Sequence, residues 1–223
     1  MAKILKKRRR YLEEKAKRNA KVALALSFSG SVFLALSFFF IPFLIYLSII
    51  QFSFALFFFE RYRDFKKGFE GELLVIKQLM KLDDSYLVLN DIKLSPRENI
   101  DHIVIGPNGV FVIETKNYEG DFVCENDRWI KRYYTKKGLK EYEIKSPSKQ
   151  VKRNAIRVKK IIREKANMNV WVDAIVVFIK ASDIILKNCG ATVLNLDELP
   201  EYIKNKKGLK LSPQQIKTIG KLF

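Results

Sequence analysis

Asn99-Ile100-Asp101-His102-Ile103-Val104-Ile105-Gly106-Pro107-Asn108-Gly109-Val110-Phe111-Val112-Ile113-Glu114-Thr115-Lys116 decides how this chain is read. Two runs of Ile, Val and Phe flank the turn cluster Gly106-Pro107-Asn108-Gly109, which predicts a β-hairpin. Strand side chains alternate with a period of two, so Glu114 and Lys116 point to the same face. If Gly106 pairs with Gly109, Asp101 lies directly opposite Glu114. If the loop is Asn108-Gly109 alone, Asp101 faces Lys116. In either register Asp101, Glu114 and Lys116 share one face, within reach of one metal ion. His102, the one histidine of the chain, points to the other face, where a packed or hydrogen-bonded role is expected.

Opposed Asp, Glu and Lys are also an ordinary ion-pair pattern on a sheet surface. Here the strands are otherwise nearly continuous apolar runs, which implies burial on both faces. Buried charge without compensation is costly. A divalent cation would relieve the repulsion between the carboxylates, and Mg²⁺ takes oxygen ligands of this kind. Such an ion polarises a phosphodiester and lowers the pKa of bound water, with Lys116 placed to stabilise developing charge. Mg²⁺ or Mn²⁺ is therefore the expected cofactor, with no small-molecule cofactor.

Upstream, Phe69–Leu82 has helical periodicity, with Phe69, Leu73, Ile76 and Met80 in one stripe. At 100° per residue Glu72 lies closer to that stripe than Glu70, and is the better third carboxylate for the sheet. Strands are expected at Tyr86–Asn90, Ile100–Ile105, Val110–Lys116, Asp121–Cys124 and Trp129–Tyr134. A polar loop follows at Lys136–Ser146, with room for a short strand at Lys140–Ile144. A helix runs from Pro147 to about Lys165, with Val151, Ala155, Val158 and Ile162 on one face. Trp171–Ile179 and Thr192–Asn195 read as strands, and Glu198–Asn205 and Pro213–Leu222 as helices. This is an α/β domain with a mixed sheet flanked by helices.

The formal net charge is +18 among 223 residues, and its distribution carries more than its size. Residues 1–21 hold ten Lys/Arg against two Glu, and residues 128–165 hold fifteen basic against three acidic side chains. The second group forms a strip containing Arg128, Lys131, Arg132, Lys149, Lys152, Arg153 and Lys159. Basic residues interleaved with Trp129, Tyr133 and Tyr134 suit phosphate contact with base stacking, and equally suit a lysine-guarded sheet edge.

Residues 22–59 contain no Asp, Glu, Lys or Arg, and 11 of the 17 Phe fall there. A single helix of that length would be about 57 Å long against a hydrocarbon core of about 30 Å. Two legs turning near Pro42 fit better. Ser27, Ser29, Gly30, Ser31 and Ser37 on one leg, with Ser48, Gln51 and Ser53 on the other, would pack the legs closely. Both flanks are basic, Lys6 to Arg10 before and Arg61, Arg63, Lys66 and Lys67 after, so the positive-inside rule places both in the cytoplasm. The apolar run is too long for a signal-peptide core and no small-residue cleavage site follows it. The expected organisation is a basic cytoplasmic helical arm at 1–21, a transmembrane hairpin at 22–59, a connector at 60–68 and a soluble domain at 69–223. Cys124 and Cys189 form no CxxC or Cys/His cluster, so free thiols are expected and a structural zinc site is not.

Gly68-x-x-Gly71-Glu72, the Ile100–Phe111 block, Ile113-Glu114-Thr115-Lys116-Asn117, Gly120 and Pro147-x-x-Gln150 resemble the nuclease-related domain (NERD) family over about residues 66–180. That family in turn resembles the restriction-endonuclease-like PD-(D/E)XK nucleases. The resemblance implies a restriction-endonuclease-like fold, with Asp101, Glu114 and Lys116 as the D…E-x-K signature. It implies Glu72 as the helix glutamate, Gln150 as a site glutamine, and a metal-binding backbone carbonyl at Thr115. Ser146 stands where the family commonly has Asn. The implied activity is phosphodiester hydrolysis at the cytoplasmic membrane face, with DNA preferred over RNA. The alternatives are a non-catalytic nucleic-acid tether of the same fold and a membrane protein whose basic strip meets anionic lipid.

Overall fold

A computed structural model describes the chain except residues 7–10, 40–43, 96–97, 137 and 209. The turn expected at Pro42 and most of the basic run Lys6 to Arg10 lie outside the described residues. The chain divides into two compact units, one of Met1–Arg8 with Gly71–Phe223 and one of Arg9–Glu70.

The second unit is helical. It holds α1 (Tyr11–Phe39) and the first part of α2 (Leu44–Leu79). Both helices are long and apolar enough to cross a membrane. They approach closely at Gly30, where a Cβ would sit 3.4 Å from Gln51 Cβ. The serine hydroxyls bond back to their own helices, Ser37 to Leu34 O at 2.7 Å and Ser48 to Leu44 O at 2.9 Å. Ser29, Ser31 and Ser53 do the same, leaving those donors satisfied without water. Leu24, Phe28, Phe38 and Tyr46 face outward.

The first unit is α/β. Its strands are β1 (Lys3–Lys6), β2 (Leu87–Ser95), β3 (Glu98–Gly106), β4 (Gly109–Glu125), β5 (Arg128–Thr135), β6 (Gly138–Ile144), β7 (Val172–Lys187) and β8 (Thr192–Asn195). Its helices are the end of α2, α3 (Pro147–Ala166), α4 (Leu199–Asn205) and α5 (Pro213–Gly220). Strands β1 to β6 are neighbours in chain order, and β7 pairs in parallel with both β4 and β8.

Three local expectations change. The arm is not helical throughout: Lys3–Lys6 lies parallel to β2 as an added strand, and Lys3 N donates to Tyr86 O at 3.0 Å. The connector at 60–68 is helical, part of the continuous helix α2. The strands read at 110–116 and 121–124 are one strand, β4, because β7 runs beside both and bridges the irregular residues between them.

Two apolar layers cover the sheet. Against one face pack α3 and α5, with Val151, Val158, Ile162, Ile216 and Ile219 meeting Val112, Phe122, Trp129 and Phe178. Against the other pack Val75 and Leu79 of α2 and Ile203 of α4, meeting Val104, Phe111, Ile113 and Val177. Helix α3 starts where Ser146 accepts from Lys149 N at 3.2 Å and Pro147 occupies the first turn. Such a cap contributes about 1 kcal/mol, and burial of each Val or Ile about 1.5–3 kcal/mol.

The edge of β4 changes partner along its length. Gly109–Ile113 pairs with β3, and Asp121–Glu125 pairs with β5. Between them neither strand is paired to β4, while β7 stays alongside on the other edge. Glu114, Thr115 and Lys116 lie at the start of this opening.

The cysteines are not free. Cys124, at the end of β4, is disulfide-bonded to Cys189 beyond β7, 65 residues away, with a Cα separation of 6.0 Å. The sequence spacing carried no sign of this, because parallel pairing of β4 with β7 is what brings the two strand ends together.

Candidate active site

The β3–β4 register resolves the two alternatives. Gly106 pairs with Gly109 and His102 with Ile113, so the next rung sets Asp101 against Glu114. Asp101 Oδ2 accepts the backbone N–H of Thr115 at 2.8 Å. That carboxylate thus occupies a β4 donor at the edge where β3 pairing stops.

On β2, Asn90 pairs with His102 and Ile92 with Ile100, and Asp91 and Asp101 lie between these pairs without pairing to each other in the ladder. Both strands roll over there. Leu89 and Ile92 belong to one core layer, as do Ile103 and Ile100, although residues three apart on a regular strand face opposite ways. Asp91 has a φ of 52°, the left-handed conformation that Asp and Asn tolerate best after Gly. The rollover takes Asp91 and Asp101 out of the apolar alternation.

Glu72 comes from α2. Gly71 beside it is buried against β4, where a Cβ would lie 2.8 Å from Asn117 Cβ. Burial first, then the charges of Asp91 and Glu114, push the Glu72 carboxyl up to about 8. Asp101 is also held well above the usual carboxylate range, by burial first and then by Glu114 and Glu72. Lys116 and the Thr115 N–H oppose that shift. Glu114 is 3% exposed. Its Oε1 accepts from Lys116 Nζ at 2.7 Å, but its Oε2 is buried with no hydrogen-bond partner. Burial works against the Lys116 charge, yet Glu114, Tyr118 and Asp101 more than offset it and raise the ammonium pKa above its ordinary value. Asp91 and Glu114 act on Glu72, and Glu114 and Glu72 act on Asp101, while Lys116 meets Glu114 and Asp101.

His102 is fully buried, with Nδ1 2.8 Å from Asn90 Oδ1 and Nε2 3.2 Å from Thr115 Oγ1. Burial pushes its pKa down to about 3, so the ring is neutral. It packs rather than titrates. Gln150 is half-buried in the first turn of α3, where its N–H bonds Ser146 O at 3.2 Å. Its side chain is not hydrogen-bonded to the carboxylates.

The basic strip is less free than its charge implies. Arg128 pairs with Glu143 at 2.9 Å, Arg132 with Glu141 at 2.6 Å and Lys152 with Asp127 at 3.2 Å. Lys131 Nζ lies 5.9 Å from the Tyr142 ring and Lys159 Nζ 5.3 Å from the Trp171 ring. Lys149 and Arg153 are exposed and make no ion pair among the described residues. Trp129 is no stacking platform. It is fully buried, 5.3 Å from the Phe178 ring, and donates to Ser148 Oγ at 3.0 Å. Tyr133 and Tyr134 are exposed.

Sequence reasoning missed Asp91. Its signal was an acidic residue inside Leu87-Val88-Leu89-Asn90-Asp91-Ile92-Lys93-Leu94, where alternation of apolar residues breaks.

A mixed α/β sheet with an Asp…Glu-x-Lys set on adjacent antiparallel strands, joined by a helix glutamate, defines a nuclease-related protein. The chain belongs to the nuclease-related domain family, which matches residues 67–179, half of its length. It is 45% identical over 78 residues to an uncharacterized protein of Bacillus anthracis, covering 32% of this chain and 37% of that relative. The chain thus spans little more than a third of that relative's length. No solved structure matches.

Proposed function

We propose that this protein is a membrane-anchored, divalent-metal-dependent nuclease that hydrolyses phosphodiester bonds of DNA. The observation that carries this reading is the orphaned Glu114 Oε2, buried among carboxylates whose mutual repulsion a single Lys116 does not balance. An unpaired buried acceptor is costly, and a hard cation is the partner that carboxylate oxygens fit. Glu72, Asp101, Glu114 and the Thr115 carbonyl would hold Mg²⁺ or Mn²⁺. When bound, the ion supplies polarisation of a phosphate oxygen and acidification of water.

The residues of the chain do the rest. Asp101 is oriented by the Thr115 N–H. Lys116 holds Glu114 in place and offers its ammonium to the negative charge that builds on the phosphate. Gln150, at the start of α3, is proposed to orient substrate or water. In hydrolysis the water oxygen forms a new P–O bond, one ester P–O bond breaks, and the leaving alkoxide takes up a proton. Lys149 and Arg153, with Lys131 and Lys159, are proposed to hold the DNA backbone, assisted by Arg128, Arg132 and Lys152 when they exchange their carboxylate partners for phosphate.

The anchor is proposed to be a hairpin crossing the membrane twice. Met1–Arg8 and Gly71–Phe223 belong to one unit, so both ends of the helical segment lead into the same domain. The basic flanks favour the cytoplasmic side, where anionic lipid would attract them.

The test uses the full chain in detergent with plasmid, linear and single-stranded DNA and an RNA control, with Mg²⁺ or Mn²⁺. Cleavage by wild type, lost in Asp101→Asn and Glu114→Gln, is expected. Equal cleavage by all three would overturn the assignment. Salt-sensitive binding without cleavage would instead identify a nucleic-acid tether of the same fold.

A further inference from the structure

We propose that α1 and α2 form a groove that binds one anionic glycerophospholipid, with an acyl chain between the helices and the phosphate headgroup on Lys17, Arg63 and Lys66. This rests on the membrane-anchored reading above and goes beyond it, since an anchor needs lipid around it but no lipid site.

The groove lies wholly within the helical unit and has a volume of about 370 Å³. Ala23 and Ala55, 6% and 5% exposed, form its floor. Ser27 and Phe52 line one end, Ala20 and Tyr62 the other. The helices run antiparallel: a Cβ at Gly30 would sit 3.4 Å from Gln51 Cβ, and Lys15 Nζ lies 5.1 Å from the Phe65 ring. The end at Ser27 and Phe52 is therefore the deep one, and the end at Ala20 and Tyr62 opens toward the basic flanks. From Phe52 to Tyr62 a helix rises about 15 Å, half of a hydrocarbon core of about 30 Å. The groove is thus one leaflet deep, the length an acyl chain occupies. Its small floor residues leave room for a thin aliphatic chain, and an unfilled groove would forfeit those dispersion contacts.

Charge selects the headgroup. Residues three and four apart on a helix are neighbours on one face. That sets Lys17 one turn beyond Ala20, Arg63 one turn beyond Phe59 and Lys66 one turn beyond Tyr62, all on the groove side. Arg63 stands about 6 Å beyond Phe59, where the charge-free segment ends, which is headgroup depth. All three cations are exposed. Arg63 makes no ion pair among the described residues, and Lys66 Nζ lies 6.0 Å from the Tyr62 ring. Lys17 pairs with Glu13 at 2.6 Å, a surface contact with Lys17 70% exposed, which a phosphate can displace. Arg61 is on the opposite side of α2 at 100° per residue, 5.3 Å from the Phe57 ring.

A second copy of the helices is the competing occupant. Seated side by side in the same membrane, it would bring Lys17, Arg63 and Lys66 against their own counterparts, and like charges repel. It would also cross both leaflets, whereas the groove runs through one. A phosphate headgroup meets the three cations with the opposite charge.

The test is native mass spectrometry of the full chain in detergent, titrated with phosphatidylglycerol or phosphatidylcholine of identical acyl chains. Wild type should retain one phosphatidylglycerol per chain, bound about tenfold or more tighter than phosphatidylcholine. Arg63→Gln with Lys66→Gln should remove that preference, whereas Arg61→Gln should keep it. Ala20→Phe, which fills the half-buried mouth of the groove, should lose the bound lipid while its circular dichroism and melting match wild type. If Ala20→Phe fails to fold, the charge variants decide, because their positions are exposed. Equal binding of both lipids by wild type, or a preference that survives Arg63→Gln with Lys66→Gln or is lost equally in Arg61→Gln, overturns the lipid groove and leaves the anchor standing. A lipid-free dimer of wild type overturns it as well. Wild type that fails to float with phosphatidylcholine vesicles overturns the anchor and the groove together.

Discussion

The backbone N–H of Thr115 donates to the carboxylate of Asp101 at 2.8 Å, across the rung where β4 stops pairing with β3. A side chain has replaced a strand as the acceptor, and that substitution opens the sheet at the site. Asp101→Asn retains an acceptor for Thr115 but loses a charge. We expect nuclease activity to fall about 10²-fold or more, while the metal-free protein melts at a higher temperature than wild type because repulsion from Glu114 and Glu72 is gone. Asp101→Ala should lose activity without that gain. Parallel cleavage assays and melting curves check both.

Metal-free stability should fall with rising pH. Burial and the charges of Asp91 and Glu114 raise Glu72 from 4.5 to about 8. A carboxyl with a raised folded pKa binds its proton more tightly folded than unfolded. Its contribution is whole below about pH 4.5 and is lost as pH climbs through about 8. Glu72→Gln should flatten this slope and be the more stable form at pH 8, by about 1–2 kcal/mol. Because metal competes with protons for the same oxygens, wild-type Mn²⁺ affinity should rise between pH 6 and pH 8. Denaturant melts and binding isotherms across that range measure both effects.

Glu72 reaches the sheet because α2 passes close to β4 at Gly71. In Gly71→Ala the new methyl would stand 2.8 Å from Asn117 Cβ and 3.1 Å from Ile179 Cδ1. The helix must move away. Overpacking of this kind costs about 1–3 kcal/mol, and it displaces Glu72. Activity and Mn²⁺ affinity should drop together, whereas Glu70→Ala, on the exposed side, should change neither.

How much of this was legible in the sequence depends on what each residue answers to. The hairpin, its parity and the Asp101, Glu114, Lys116 face followed from turn chemistry and period-two alternation, both local. The choice of Glu72 over Glu70 followed from helical angle. The register was left between two alternatives because turn residues alone fit both loops; the paired ladder chose one. Asp91 was invisible because its rollover is a tertiary event shared with Asp101. The burial of Trp129 was hidden by its basic neighbours, which face outward while the indole meets Phe178 and Ser148. Strand β1 and the Cys124–Cys189 bond depend on pairings between distant segments, which no local window contains. The ion pairs of Arg128 and Arg132 arise from β6, read only as a loop with a possible short strand.

The strip should divide into cations with different weight in DNA binding. Lys149 and Arg153 are exposed and make no ion pair among the described residues, while Arg128 and Arg132 must give up Glu143 and Glu141 before meeting phosphate. Removing a cation that contacts phosphate should reduce the salt slope of binding by about 0.9 per contact. Lys149→Ala and Arg153→Ala are expected to do so, each weakening binding uniformly across sequences. Arg128→Ala and Arg132→Ala should act less, since the freed glutamates add repulsion but few contacts are lost. Affinity measured on a DNA duplex at several salt concentrations, in a protein made inactive by Asp101→Asn, separates the two groups.

The disulfide gives the final prediction, and it bears on sidedness. Cys124 and Cys189 close a loop of 65 residues, which stabilises by about 4 kcal/mol in the chain-entropy account. Reduction should therefore lower the melting temperature of the full chain, and Cys124→Ser with Cys189→Ser should abolish that response. Disulfides persist in oxidising compartments and are rare in reducing ones, whereas the basic flanks of the apolar helices favour the cytoplasmic side. Labelling with a membrane-impermeant thiol reagent at an introduced cysteine, Ser182→Cys, decides between them. Labelling only after the membrane is permeabilised, with Cys124 and Cys189 found reduced, is the expected outcome for a cytoplasmic domain. Labelling of intact cells with the native pair oxidised would place the domain on the outer face, and the proposed DNA substrate with it.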